Sequence, residues 1–301
     1  MSTQVETTGF RTVTKNKSAT DKSEHWTEVI QPESKLLQLK LREVWRYKDL
    51  VMMFVRRDFV ANYKQTILGP IWIFLQPLLT TLTYMLIFGR LAGFAPHGVP
   101  MLAFYLAGVT IWNYFSETLT KTATVFKDNA QMFGKVYFPR LSMPVSIVIS
   151  NLIRFLIQFA LFIVVCLYYM YQKSSVSPNI YILLTPVLIL MMGILALGFG
   201  MIISALTTKY RDLIYLLTFG IQLLMFATPV IYPLERASAS FRWIILANPM
   251  SSIVESFRYA FLGSGIFNWN YLLYSFIMSI IILFLGTIVF NKVERSFTDT
   301  I

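Results

Sequence analysis

Few side chains in this sequence could act on a polar solute, and most of those lie in apolar surroundings. Arg154 interrupts an uncharged run, with Asn151 three residues before it and Gln158 four after it, so the three share one helical face. An arginine that faces lipid costs at least about 2.5–3.5 kcal/mol on insertion scales, so this polar stripe is expected to turn inward. Two readings of Arg154 stand side by side: it lines a path for a polar or anionic solute, or it is structural and pairs with Glu117 or a carbonyl. Glu255 and Arg258, three apart in another apolar stretch, can pair on one face and so lower the cost of lying at membrane depth.

Most catalytic constellations are missing. The one Gly-Lys pair, Gly134-Lys135, is followed by Val136 and has no glycine five residues earlier, so there is no loop to cradle a nucleotide phosphate. The chain is not expected to hydrolyse ATP unaided. There is no Gly-x-Ser-x-Gly elbow and no His-Glu-x-x-His, and paired intramembrane carboxylates of the kind that relay protons are lacking. Cys166 is the sole cysteine, and His25 and His97 are the only histidines, which excludes a disulfide framework and argues against a zinc site. The chain is therefore read as a non-enzyme that binds no metal and no cofactor of its own.

The elements that must position these residues are membrane helices. Of 301 residues, 56% are apolar, 16% aromatic and only 14% charged, and the mean hydropathy is +0.60. A single soluble core of this length could not hide that much apolar surface. Intervals of about 20 apolar residues suffice to span the hydrocarbon, and six are expected. They lie between Lys64 and Arg90, between Arg90 and Glu117, over 143–171, between Lys173 and Lys209, between Asp212 and Glu235, and over 270–291. Six spans put both termini on one side. Twenty of the 26 basic residues then fall on that side, five on the other, and Arg154 lies within a span. The bias makes the termini cytoplasmic. It also accounts for most of the net charge of +11, which favours anionic membrane lipid rather than nucleic acid. Residues 1–34 are hydrophilic, and no cleavable secretory signal is expected there.

Three pieces do not span. Residues 36–63 alternate apolar and basic side chains at helical spacing, which predicts an amphipathic interfacial helix broken near Lys48 and Asp49. It is either a plain juxtamembrane anchor or a functional element. Residues 118–140, with Lys127, Asp128, Met132, Lys135, Tyr137, Phe138 and Arg140, are too few for a domain; they form either a simple loop or a helix that docks in a groove of a soluble partner. Residues 228–263 are apolar but cut by Pro229, Pro233 and Pro249. They predict two short re-entrant helices, a gate if protein or a wet cavity covers them, or otherwise an extracytoplasmic loop.

With these elements in place, several stretches resemble a known family. Tyr63-Lys64-Gln65-Thr66-Ile67-Leu68-Gly69-Pro70-Ile71-Trp72, continuing to Leu75-Gln76-Pro77-Leu78, is similar to the first-span signature of permease subunits of ABC-2 type transporters, in the branch that exports O-antigen, teichoic acid and capsule-like polysaccharides. Ala107-Gly108 through Trp112, Phe115-Ser116-Glu117, Lys135 through Arg140 with Pro144, Tyr210 through Leu213, Thr228 through Pro233, and Asn248-Pro249-Met250 with Arg258-Tyr259 follow in family order.

The resemblance implies an all-α integral membrane protein of the cytoplasmic (inner) membrane. Its expected parts are a cytoplasmic tail (1–34), an interfacial helix (35–64) and a six-span domain (65–301). It implies a homodimer driven by two copies of a separate cytoplasmic ATPase, which would carry the ATP and Mg, and a polymer on a lipid anchor as substrate. The segment with Lys127, Asp128, Met132, Lys135, Tyr137, Phe138 and Arg140 would couple to the ATPase. Trp72, Tyr84, Phe88, Tyr105 and Trp112, with Arg154, would be candidates for the substrate path, and Arg56, Arg57 and Lys64 for contacts with a lipid diphosphate. Pro229, Tyr232, Pro233, Pro249, Glu255 and Arg258 would form the gate. An ABC-2 exporter of a drug or simple lipid, and an integral-membrane glycosyl- or acyltransferase, are the alternatives.

Overall fold

The computed structural model describes residues 41–64, 67–96, 98–133, 138–210 and 212–298. All of these belong to one compact unit, residues 36–301. The tail expected over 1–34, the start of the interfacial segment, His97 and the coupling candidates Lys135 and Tyr137 lie outside the described residues. Among the described residues there are helices and no strands.

Helices α1 (Leu41–Arg46) and α2 (Lys48–Tyr63) are separated at Tyr47, next to the expected break. Val51, Phe54 and Val55 are buried while Met52, Met53, Arg56 and Arg57 are exposed, the one-sided stripe that i, i+3, i+4 spacing produces. A single 3₁₀ turn, Gly69–Ile71, leads into α3 (Trp72–Tyr84), and the winding continues as a π-helical segment, Met85–Leu91. Pro77 lies inside α3, where it removes one donor from the backbone ladder. After α4 (Met101–Ala123) come two single turns, α5 (Val125–Asp128) and α6 (Ala130–Phe133), and then the long α7 (Ser142–Tyr171). A 3₁₀ turn, Ile180–Leu184, opens α8 (Thr185–Lys209); α9 (Leu213–Phe226), α10 (Ala239–Ala247), α11 (Pro249–Leu262) and α12 (Trp269–Thr298) complete the chain.

Four stretches are long and apolar enough to cross a membrane: Gly69–Leu91, Ser142–Tyr171, Ile180–Lys209 and Trp269–Val293. They occupy the first, third, fourth and sixth expected intervals. In the second, α4 has the length, at 23 residues, but carries Asn113, Ser116, Glu117 and Lys121 toward its end. In the fifth, α9 is apolar but has only 14 residues, about 21 Å at 1.5 Å per residue. It stops at Phe226 because Pro229 cannot donate, and a residue before proline is driven out of the helical region.

Helix α4 is the axis of the bundle. Tyr105, Leu106, Ile111 and Phe115 on it are fully buried, as expected of a helix covered on most sides, and it packs against α3, α7, α8, α9 and α11. Helices α8 and α12 meet at Gly198 and Gly286. A Cβ on Gly286 would stand 2.5 Å from the Gly198 carbonyl oxygen, and one on Gly198 2.7 Å from the Leu283 nitrogen, so the two backbones touch. A second, smaller core gathers Val51 and Phe54 of α2 with Phe126, Phe133, Phe138 and Phe290. Phe126 stacks on Phe290 with ring centroids 4.7 Å apart, and Phe54 meets Phe138 at 5.6 Å.

Candidate functional site

Helix α11 begins on a local signal. Asn248 accepts from the Met250 N–H at 3.0 Å, and Pro249 follows it at the first helical position, a residue pair suited to that place. The Asn248 side chain also donates to Thr228 Oγ1 at 2.8 Å, which joins the helix start to the stretch that ends α9. The Pro249 carbonyl accepts from Ser275 of α12 at 2.7 Å. Apart from Tyr259 and its first residue, α11 is buried throughout.

One turn from the end of α11 lies Arg258, 0% exposed. Its guanidinium donates to the carbonyls of Pro229 and Val230, sits 3.7 Å from the centroid of the Phe104 ring, and pairs with Glu255 at 3.6 Å. Glu255, itself 2% exposed, also accepts from the Ile266 N–H at 3.0 Å. The expected pair exists, and its geometry explains how a buried cation survives: backbone carbonyls, a carboxylate and a ring face replace its water. Room for it comes from Gly108 of α4, where a Cβ would stand 2.6 Å from both Arg258 Nη2 and the Val230 oxygen. Among the remaining gate candidates, Tyr232 donates to the Phe226 carbonyl at 3.0 Å, while Pro233 sets the φ of −71° just before a short 3₁₀ turn. Arg258 thus ties together α11, α4 and the proline-cut stretch.

Between α4 and α7 runs a ladder of polar contacts. Asn113 donates to Gln158 at 3.5 Å, Arg154 to Glu117 at 2.9 Å, Asn151 to Thr118 at 3.2 Å, and Lys121 to Asn151 at 3.3 Å. The predicted stripe of Asn151, Arg154 and Gln158 therefore does face protein. Arg154 pairs with Glu117, whose side chain is 33% exposed against 14% for Arg154, so the pair sits at the rim of the bundle and not at its centre.

The aromatic path candidates separate into two groups. Tyr105 and Trp112 are buried within the main core, and the Tyr105 hydroxyl donates to the Phe94 carbonyl at 3.4 Å. Trp72 is 43% exposed. Tyr84 and Phe88 are half-buried and meet edge to face at 5.8 Å, with the Tyr84 hydroxyl 3.4 Å from Met225 Sδ. Tyr84 and Phe88 pack against the core that holds Tyr105 and Trp112, and Trp72 is not among its residues.

Lys127 and Asp128 are exposed at the end of α5, and Met132 is half-buried. Phe138 is 6% exposed and packs on Phe133 with centroids 5.6 Å apart, while Arg140 lies 5.7 Å from the Phe133 ring centroid. Arg57 of α2 reaches the same segment, donating to Asn129 at 3.4 Å and approaching Met132 Sδ at 4.0 Å. Its own neighbour Asp58 pairs with it at 2.8 Å. Arg56 and Lys64 are exposed. Sequence reasoning did not foresee this α2 platform, although the Val51, Phe54 and Val55 spacing carries its signal. Nor did it single out Phe104 and Gly108 as partners of Arg258. No group of three His, Cys, Asp or Glu that could hold a metal occurs among the described residues, and Cys166 is buried in α7.

Comparison with known proteins places this arrangement. The chain is 29% identical over 264 residues to the O-antigen export system permease protein RfbA of Myxococcus xanthus, covering 87% of this chain and 98% of that one. Against two proteins of the same name from Klebsiella pneumoniae the identities are 28% over 251 residues and 29% over 252 residues, each covering 83% of this chain and 94% of the relative. Residues 49–262, which hold the α2 platform, the polar ladder and the buried Arg258, match the ABC-2 type transporter family, and the chain belongs to that family.

Proposed function

We propose that this chain is the membrane subunit of an ATP-driven exporter that carries a lipid-linked, O-antigen-like polysaccharide across the cytoplasmic (inner) membrane. The observation that carries the reading is the near end-to-end similarity to permeases named for O-antigen export, 94–98% of whose length is covered. Two copies of the chain would form the conduit, each with six spans and cytoplasmic termini, and two copies of a separate ATPase would supply force with their own ATP and Mg.

The α5–α6 segment would take that force. In support, Lys127 and Asp128 are exposed while Phe126 and Phe133 are anchored in the second core, so a push there would reach α2 and α12. Arg56, Arg57 and Lys64 would meet the lipid diphosphate as charge-assisted donors. The 228–263 stretch would act as the gate, with Arg258 holding its backbone in shape. Trp72, Tyr84 and Phe88, which are not enclosed by the main core, are better placed than Tyr105 and Trp112 to meet sugar rings.

Genetic replacement tests this reading. A cell lacking its own O-antigen permease should regain surface polymer when this chain is expressed with a cognate ABC ATPase subunit, and not with either alone. Restored polymer without any ATPase, or none with the pair despite membrane assembly, refutes it.

A further inference from the structure

The two short helices between α9 and α12 are secured unequally. Helix α11 is tied on three sides. On α12, the Ser275 hydroxyl donates to the Pro249 carbonyl at 2.7 Å and lies 2.6 Å from the Ser252 hydroxyl. In the connection between α7 and α8, Asn179 donates its backbone N–H to the Ala260 carbonyl at 2.8 Å and its side-chain amide to the Tyr259 carbonyl at 3.1 Å. A Cβ on Gly263, whose φ is +71°, would collide with Ser177 Oγ, so the same connection bears directly on the end of α11. Arg258 and Glu255 add the bonds to Pro229, Val230 and Ile266.

Helix α10 has no comparable set. Ile245 is its one buried residue among those described, and Phe241, Trp243 and Ile244 are exposed. The Arg242 guanidinium donates at 3.4 and 3.3 Å to the carbonyls of Leu234 and Glu235, within its own stretch. What is fixed lies at the two ends. Upstream, Leu234 is buried and Arg236 donates to the Gly93 carbonyl at 2.9 Å. Downstream, Asn248 is bonded to Thr228, and the Tyr274 hydroxyl of α12 donates to the Ala247 carbonyl at 2.8 Å. At both ends the backbone is extended, with ψ of 132° at Ala237, 139° at Ser238 and 115° at Asn248. A nine-residue helix, about 14 Å long at 1.5 Å per residue, thus hangs between two anchored joints.

Elements that move in a folded protein come from its weakly held parts, those with few buried apolar contacts and few bonds to the rest. Rigid pieces turn on a few terminal residues that absorb the change in φ and ψ. Residues 237–238 and 248 are joints of that kind for α10. Helix α11 could not follow it without giving up its bonds to α12, to the connection between α7 and α8, and to the stretch that Arg258 holds.

We propose that α10 alone is the moving lid of the gate, turning on residues 237–238 and 248, while α11 stays fixed to the bundle as its seat. The lid deepens the export reading above and rests on it for its purpose, but the unequal mobility does not depend on transport.

Hydrogen–deuterium exchange on the full-length chain alone in nanodiscs reads that mobility directly. Amides of residues 240–247 should exchange at least about a hundredfold faster than those of 252–262; equal protection of the two helices overturns the proposal whatever the chain exports. Two variants, each in a Cys166→Ala background and reconstituted with a cognate ABC ATPase subunit, then test the movement. Ser252→Cys with Ser275→Cys brings two sulfurs to bonding reach across α11 and α12, and export should survive oxidation of that pair. Spin labels at Trp243→Cys and Tyr271→Cys, diluted with unlabelled copies, should change separation by about 5 Å or more when the ATPase is trapped with vanadate. Export lost on oxidation and restored by reductant, or a label separation that stays constant while polymer is exported, overturns the lid. Faster exchange in α10 together with no export by the unaltered pair sinks the export reading and leaves the loose helix standing.

Discussion

Replacing Arg258 by leucine is the most informative single perturbation of the bundle. The substitution leaves the carbonyls of Pro229 and Val230 without their donor, and each orphaned buried acceptor costs about 1–3 kcal/mol. It also strips Glu255 of the cation 3.6 Å away and leaves it only the Ile266 N–H. Removing one member of a buried pair costs about 3–5 kcal/mol. The contributions overlap, so we expect a loss of at least about 3 kcal/mol. Thermal unfolding in detergent, followed by tryptophan fluorescence, should then fall by roughly 6 °C or more, at about 2–4 °C per kcal/mol for chains somewhat shorter than this one. The double variant Arg258→Leu, Glu255→Leu should recover part of the loss, because no carboxylate is left buried alone. The two carbonyls remain orphaned, so recovery should be incomplete. An Arg258→Leu protein that unfolds within 1 °C of the unaltered chain, or a double variant whose loss relative to the unaltered chain equals the sum of the two single losses, would refute the tie between α11, α4 and the proline-cut stretch.

Three further outcomes test other parts of the architecture. Gly108→Ala places a Cβ 2.6 Å from the Val230 oxygen and the Arg258 guanidinium; unfolding temperature should drop in this variant but much less in one that already carries Arg258→Leu, since half of the collision is then removed. Arg154→Leu should destabilise the chain by stranding Glu117, and Glu117→Leu in the same protein should restore stability; polymer export that stays absent after stability returns assigns Arg154 to the substrate path, whereas full export makes it structural. Lys127→Glu, at an exposed position, should leave the unfolding temperature unchanged while reducing polymer export and ATPase stimulation at least about tenfold, and normal export in that variant removes α5 from the coupling path.

Much of this was legible from residue order. Hydropathy and charge located the long helices, the Lys48–Asp49 region announced the break between α1 and α2, and three-residue spacing announced the Glu255–Arg258 pair. Other features were not, and for identifiable reasons. The acceptors that hold Arg258 are main-chain carbonyls, which every residue has and no residue type reveals. Arg154 and Glu117 stand 37 positions apart, so only the crossing of α4 and α7 could choose between a path and a pair. Aromatic content alone did not separate Tyr105 and Trp112, which fill the core, from Trp72, which faces outward. The shortness of α9 came from Pro229 overriding a stretch that is otherwise apolar enough to continue.

The contact at Gly198 and Gly286 bears on how such a bundle can change shape. Where interlocked side chains separate two helices, one can slip past the other by exchanging rotamers. Here main chain rests directly on main chain, and there is nothing to reshuffle. Helices α8 and α12 are thus coupled like a single beam, so a displacement of one at this point carries the other with it.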